Sequence, residues 1–188
     1  MRDTITSDRL TLRPLTMADA ARVCELVGNY AVSKMISRAP YPYSLADANQ
    51  WLATHAATRA AGTDFPYAIV TQGDGVIGVI GLHGSIRLSN LAPNAFELGY
   101  WLGQPFWGQG YATEAGRALL AAFDADLGPK PLVSGHFTEN PQSGHVLEKL
   151  GFHYVGEPTT IFCVARQTNV PDVSMLRPAP ILERSPIL

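Results

Sequence analysis

Two cysteines in 188 residues, Cys24 and Cys163, are too few and too far apart for a disulfide framework or a thiolate metal site, so both are expected to be buried free thiols. Charge is also scarce. Asp, Glu, Lys and Arg make up 16% of the chain, and 14 basic against 16 acidic residues leave a formal charge of -2 with no block of one sign. A nucleic-acid footprint or an anionic-membrane patch needs such a block, so neither partner is expected. The longest nearly apolar stretch, residues 76–82, is far below the roughly 20 residues of a spanning helix, and the first residues lack the apolar segment of a secretion signal. The expectation is a protein of a bacterial-type cytosol, monomeric or homodimeric.

What is present builds a core. With 46% hydrophobic residues, the chain suits one domain, placed at residues 1–176, followed by a tail, 177–188, in which Pro178, Pro180 and Pro186 exclude regular structure. Residues 4–13 alternate as one half-buried strand. Thr16 to Asp19 reads as a capping box opening a helix with Val23, Leu26, Val27 and Tyr30 on one face, and Ser44 to Asp47 opens a second that runs to Gly62. Residues 65–71 and 76–83 form a hairpin around Gln72-Gly73-Asp74-Gly75. Residues 96–102 are the next strand and 132–138 another. Asn140-Pro141 starts a helix that Gly151 ends, and residues 155, 161–164 and 173–176 supply the last strand material.

Between the strand ending at Leu102 and the helix of residues 112–127 lies a loop with Gly103, Pro105, Gly108 and Gly110. Glycines there permit backbone conformations closed to other residues, and the helix start offers unpaired N–H groups with the positive end of its dipole. Such a loop cradles a pyrophosphate; two glycines before a helix are also an ordinary tight turn. The dinucleotide fingerprint requires a third glycine that Gly108-Gln109-Gly110-Tyr111-Ala112-Thr113 does not supply.

With Arg9-Leu10-Thr11-Leu12-Arg13-Pro14, Glu97 to Leu102, Trp107 to Glu114, Asn140-Pro141-Gln142-Ser143 and Leu147 to Phe152 in this order, nearly the whole chain resembles the GNAT superfamily of acyl-CoA-dependent N-acyltransferases, in its RimJ/RimL-like branch. The family's phosphate loop, [Gln/Arg]-x-x-Gly-x-[Gly/Ala], falls on residues 107–112, where Trp107 departs at the first position. The resemblance implies an α/β (α+β) fold with a mixed, mostly antiparallel sheet, splayed after the fourth strand (Phe96 to Leu102), and helices on both faces. It implies acetyl-CoA as co-substrate. The pantetheine arm would pair with backbone near Tyr100, Trp101 and Leu102. The diphosphate would sit on the amides of residues 109–113, at the Gly108 to Thr113 loop, with Asn140 capping its helix and bonding the cofactor arm. The Trp101 side chain reads better as core.

An amine attacks a thioester only when neutral, so a base is needed. Glu97, on the strand bordering the cleft, is the candidate, directly or through a water, and in several GNAT enzymes a glutamate on this strand has that role. It could equally be a solvated or ion-paired strand carboxylate. Many family members place a tyrosine beside the departing sulfur, but that position is Leu147 here. Ser143, matching the Asn-x-x-Ser pattern of the RimL-like branch, is the substitute donor; alternatively it only satisfies a backbone group at its helix start. His83 would neighbour Glu97 as a relay or pocket-lining residue or as a plain strand-end histidine, and His136 and His145 are weaker candidates. No residue set has metal-ligand spacing, so no metal is expected, and without a nucleophile paired to a base transfer should be direct, within a ternary complex. The amine acceptor, a peptide or protein N-terminus or a small free amine, would meet segments 29–43 and 84–94, with Arg38, Tyr41, Tyr43 and Arg87 as contacts. A CoA-binding sensor without turnover is the reading of another class.

Overall fold

The computed structural model describes residues 1–84 and 92–179. Arg87, most of the 84–94 segment and the end of the tail lie outside the described residues. The alternation of residues 4–13 is interrupted by Ser7-Asp8-Arg9, where the Ser7 N–H donates to the Leu10 carbonyl at 2.9 Å. The one expected strand is therefore two, β1 (Ile5–Thr6) and β2 (Thr11–Pro14), paired antiparallel. A short 3-10 turn leads into α1 (Ala20–Val27), and the Asn29 side chain accepts from the Ala31 N–H at 2.9 Å to start α2 (Tyr30–Ser33) afresh. Tyr30 thus leaves the apolar face of α1 and is exposed.

The helix expected to run to Gly62 is also divided. The Ser44/Asp47 capping box opens α3 (Leu45–Ala53) as anticipated, but the Thr54 hydroxyl donates to the Trp51 carbonyl at 2.8 Å, and α4 (His55–Ala60) follows as a separate turn-and-a-half. Next come the hairpin β3 (Asp64–Thr71) and β4 (Gly75–Gly84), then β5 (Phe96–Leu102), α5 (Tyr111–Leu127), β6 (Leu132–Phe137), α6 (Pro141–Lys149), β7 (His153–Cys163) and β8 (Thr168–Arg177). Arg177 still pairs with Leu132 and holds Asp124 at 2.6 Å, so ordered strand runs past residue 176.

The strands form one sheet in the order β1-β2-β3-β4-β5-β6-β8-β7. Every pairing is antiparallel except β5 with β6. Because side chains alternate along a strand, the sheet presents two apolar faces, and each is covered by helices. Leu98, Leu102 and Ile80 meet Leu119 and Phe123 of α5 and Leu147 of α6 on one face. Val79 and Ala68 meet Val23 of α1 and Leu52 of α3 on the other. Truncating a fully buried residue such as Leu119 or Leu147 to alanine costs about 2–5 kcal/mol. Cys163 is buried as expected, whereas Cys24 is partly exposed, because its helix packs Val23 and Val27 inward instead.

Candidate active site

The split expected beside residues 96–102 is in place, and because the N-terminal run makes two strands it follows the fifth strand. β5 and β6 pair only at Phe96↔Leu132 and Glu97↔Val133, after which both strands continue unpaired with each other. The Ser134 hydroxyl donates to the Leu98 carbonyl at 2.8 Å and closes the base of the opening. Gly103 donates its N–H to Ile77 of β4 at 2.9 Å. Backbone groups alternate sides along a strand, so those of Tyr100 and Leu102 face the split while those of Trp101 face β4. The Trp101 indole packs with Val79 on the α1/α3 face, as a core aromatic.

The exit from β5 is tied down by its tryptophan. The Trp107 indole N–H donates to the Leu102 carbonyl at 2.7 Å, which gives a structural reason for this residue at the first motif position. Gly108 and Gly110 have φ of +74° and +81°, the left-handed region that favours glycine, and Gly110 is the N-cap of α5. A Cβ on Gly108 would meet nothing within 4 Å, and one on Gly110 would approach only an Arg9 nitrogen, at 3.6 Å. The first-turn amides of α5, at Tyr111, Ala112 and Thr113, have no carbonyl partner within the helix, as at any helix start.

Arg9, absent from the residues picked out by sequence, clamps this helix start from the β1–β2 turn. Its guanidinium holds Glu114 at 2.6 Å, donates to the Gln109 carbonyl at 3.1 Å and lies 4.5 Å over the Tyr111 ring. Burial would raise the Glu114 pKa, but hydrogen bonds from the Arg9 N–H, Ser7 and the Arg9 guanidinium outweigh it and hold the carboxyl below its ordinary value. The cleft alongside measures about 740 Å³ and is lined by Arg9, Arg117 and Lys149 among others. Only the position of Arg9 in a sequence motif hinted at any of this.

Glu97 lies on β5 directly opposite His83 of β4, with its carboxylate 3.7 Å from the histidine Nε2. Both are largely shielded, the Glu97 side chain 17% and that of His83 31% exposed. Gly99 makes room for the ring: a Cβ there would stand 3.4 Å from His83 Cε1. Alternation puts Glu97 on the Trp101 side of the sheet and Tyr100 on the α5/α6 side.

On that second side, Asn140 caps α6, its Oδ1 accepting from the Ser143 N–H at 3.3 Å. The Ser143 hydroxyl does not bond its own helix start. It lies 2.8 Å from the Tyr100 hydroxyl, which also reaches the Ser143 carbonyl at 2.9 Å. Burial pushes the Tyr100 phenol up to about 12, against the lowering effect of the serine, so it stays protonated. His136, also beneath α6, bonds the Phe137 carbonyl at 2.8 Å and Tyr154 at 3.1 Å, a packing role. Of the expected acceptor contacts, Arg38 and Tyr41 are exposed, Tyr41 against Tyr30 with ring centroids 4.7 Å apart, whereas Tyr43 packs into the α1/α3 core. Among the described residues no group of three or more His, Cys, Asp or Glu is placed to hold a metal ion, and no helix is long and apolar enough to cross a membrane.

Residues 9–153 match the family described as an acetyltransferase (GNAT) domain. The chain belongs to that family, and it is an acetyl-CoA-dependent N-acetyltransferase. It is similar to the uncharacterized N-acetyltransferase p20 of Bacillus licheniformis, 26% identical over 155 residues that cover 82% of this chain and 84% of the relative. In fold it is similar to the Salmonella typhimurium acetyl transferase that modifies the N-terminal serine of ribosomal protein L7/L12, with TM-score 0.77 at 18% identity over 94% and 99% of the two chains. It is also similar to the RimL ribosomal L7/L12 α-N-protein acetyltransferase in complex with coenzyme A, with TM-score 0.74 at 20% identity over 91% and 96%.

Proposed function

We propose that this enzyme acetylates the α-amine of a peptide or protein N-terminus, as a RimJ/RimL-like member of its family. The observation that carries the chemistry is the split itself, which opens between Glu97 on one face of the sheet and the Tyr100–Ser143 pair on the other. Acetyl-CoA would lay its diphosphate on the amides of residues 109–113 and its pantetheine arm along the Tyr100 and Leu102 edge of β5, as an added strand. Arg117 of α5 and Lys149 of α6 would meet its remaining phosphate charge.

The amine nitrogen attacks the thioester carbon, Glu97 takes the amine proton directly or through a water, and the C–S bond breaks with its electron pair passing to sulfur beside the Ser143 hydroxyl. A free α-amine titrates at about 7.7–8.0 and a lysine amine at about 10.4, so a lysine acceptor carries an extra deprotonation cost of roughly 3.5 kcal/mol. Glu97 with His83 beside it suits the easier acceptor. The RimL neighbours, which act on a protein α-amine, support the same reading.

The test is a mixed peptide library incubated with acetyl-CoA, read by mass spectrometry and free-thiol release. Acetylation of α-amines is expected, and Glu97→Gln should lower kcat by about 10²- to 10⁴-fold with CoA affinity intact. Acetylation confined to lysine ε-amines or to added small amines would overturn the acceptor; a loss below about threefold in Glu97→Gln would remove Glu97 as the base.

A further inference from the structure

The Tyr100 hydroxyl has one proton and two acceptors in reach, both on Ser143: the carbonyl at 2.9 Å and the hydroxyl oxygen at 2.8 Å. The choice between them fixes what the serine does. If the phenol donates to the carbonyl, the serine proton is free to turn back onto the phenol oxygen. If the phenol donates to Oγ, that return is closed, and the serine proton must point elsewhere. Asn140 already takes the Ser143 N–H, and the residue sits on the first turn of α6 on the α5/α6 side of the split. Tyr100 is also the residue whose own backbone borders that split.

We propose that Tyr100 is a positioning residue for the leaving group: its phenol donates to Ser143 Oγ and so presents the serine proton to the departing sulfur. This rests on the acetyl-transfer reading above. The pair works as a hydrogen-bond relay and delivers no net proton. A phenol held at about 12 would have to protonate a thiolate whose conjugate acid titrates near 8.5, an uphill step of about 3.5 units. The sulfur therefore leaves with the C–S electron pair, is stabilised by the donated bond, and takes its proton from water once released, while the amine proton goes to Glu97. Burial of the phenol keeps it a donor throughout the working pH range.

A double-mutant cycle on the full-length enzyme tests the assignment. Ser143→Ala should lower kcat about tenfold, and Tyr100→Phe about five- to tenfold, each with the KM for acetyl-CoA unchanged. Because Tyr100 acts through Ser143, the double variant should be no slower than Ser143→Ala alone. In Ser143→Ala the phenol proton turns to the backbone carbonyl of residue 143, 2.9 Å away, so a tie between β5 and α6 survives in it. A second measurement, independent of the acceptor, is the titration of the bound CoA thiol in the binary complex. Both single variants should raise its pKa relative to the unmodified enzyme, and the double variant should raise it no further. Multiplying losses in the double variant, or an unmoved thiol pKa in Tyr100→Phe, would overturn the role of Tyr100. Absence of α-amine acetylation by the unmodified enzyme, with the thiol titration behaving as stated, would overturn the acceptor and leave the role of Tyr100 standing.

Discussion

Gly144→Ala sets two opposed effects against each other within α6. In an isolated helix the exchange stabilises by about 1 kcal/mol, because glycine carries the larger conformational entropy. In this fold the new methyl would collide with the Tyr154 hydroxyl and stand 2.7 Å from His136 Nε2. Tyr154 is half exposed and can swing into solvent, but doing so breaks its bond to His136. The histidine ring is buried and anchored through Nδ1 to the Phe137 carbonyl, so it cannot follow. Leaving its Nε2 unpaired costs about 1–3 kcal/mol, and turning the ring off its rotamer to admit the methyl adds about 0.5–1.5 kcal/mol. The clash outweighs the propensity gain, for a net loss of about 1–3 kcal/mol. At about 2–4 °C per kcal/mol for a chain of this size, the Tm should fall by roughly 2–12 °C in a thermal melt followed by circular dichroism. Tyr154→Phe, which removes the hydrogen bond without the methyl, should account for part of that fall. A Tm that stays or rises in Gly144→Ala would refute the packing argument and leave propensity in charge.

Gly110→Val should abolish measurable CoA binding in calorimetry while the protein still folds, since the side chain would fill the space before the α5 amides and valine disfavours the φ of +81° found there; unchanged affinity in a folded variant would sink the phosphate-loop assignment. Stability should fall in two stages as pH is lowered. Burial depresses His55, partly offset by Asp64, so the stability gained from keeping it neutral is present above the unfolded value near 6.5 and is lost as pH drops through its lower folded value. Burial would raise the Asp19 pKa, but hydrogen bonds from Arg13 and Thr16 outweigh it, so its contribution is present above about pH 4 and lost as pH falls through its lowered folded value; Asp126 is lowered to about 2 by its hydrogen bonds and charge pairing with Arg2, and its contribution is lost towards about pH 2. Melts across this range should show both falls, with Asp19→Asn flattening the second; a melt curve independent of pH from 7 to 3 would contradict it.

The parts legible in sequence were those whose signals are local. The alternation of Phe96–Leu102, the glycines after it and the 3.6-residue spacing of α5 each sit within a few turns of chain, and together they locate the split and the glycine loop beside it. Three departures from the sequence expectation are also local, and each comes from a short-range hydrogen bond to the backbone. Ser7-Asp8-Arg9 folds the first strand into two, Thr54 divides the second helix, and Asn29 restarts the first. Beyond local reach, sequence spacing says nothing. Arg9 meets Glu114 across 105 residues, and Tyr100 meets Ser143 across 43. The period of β5 does place Tyr100 on the Leu98 and Leu102 face, which is the one sequence signal that points its hydroxyl towards the α6 side.

The same period explains why one strand can serve both halves of an acyl transfer. Neighbouring side chains of β5 leave opposite faces of the sheet, so Glu97 stands with His83 over the α1/α3 layer while Tyr100 reaches Ser143 under α6. In an intact sheet those faces would be sealed from each other by the backbone ladder. The ladder between β5 and β6 ends at Glu97, so a thioester in the split would have a proton acceptor on one side and a hydrogen-bond donor for sulfur on the other. An attacking amine and a departing thiolate occupy different corners of the tetrahedral intermediate, so each can meet its own protein group. Separating the two groups by the thickness of a β-sheet would also weaken the repulsion between the carboxylate and the departing thiolate.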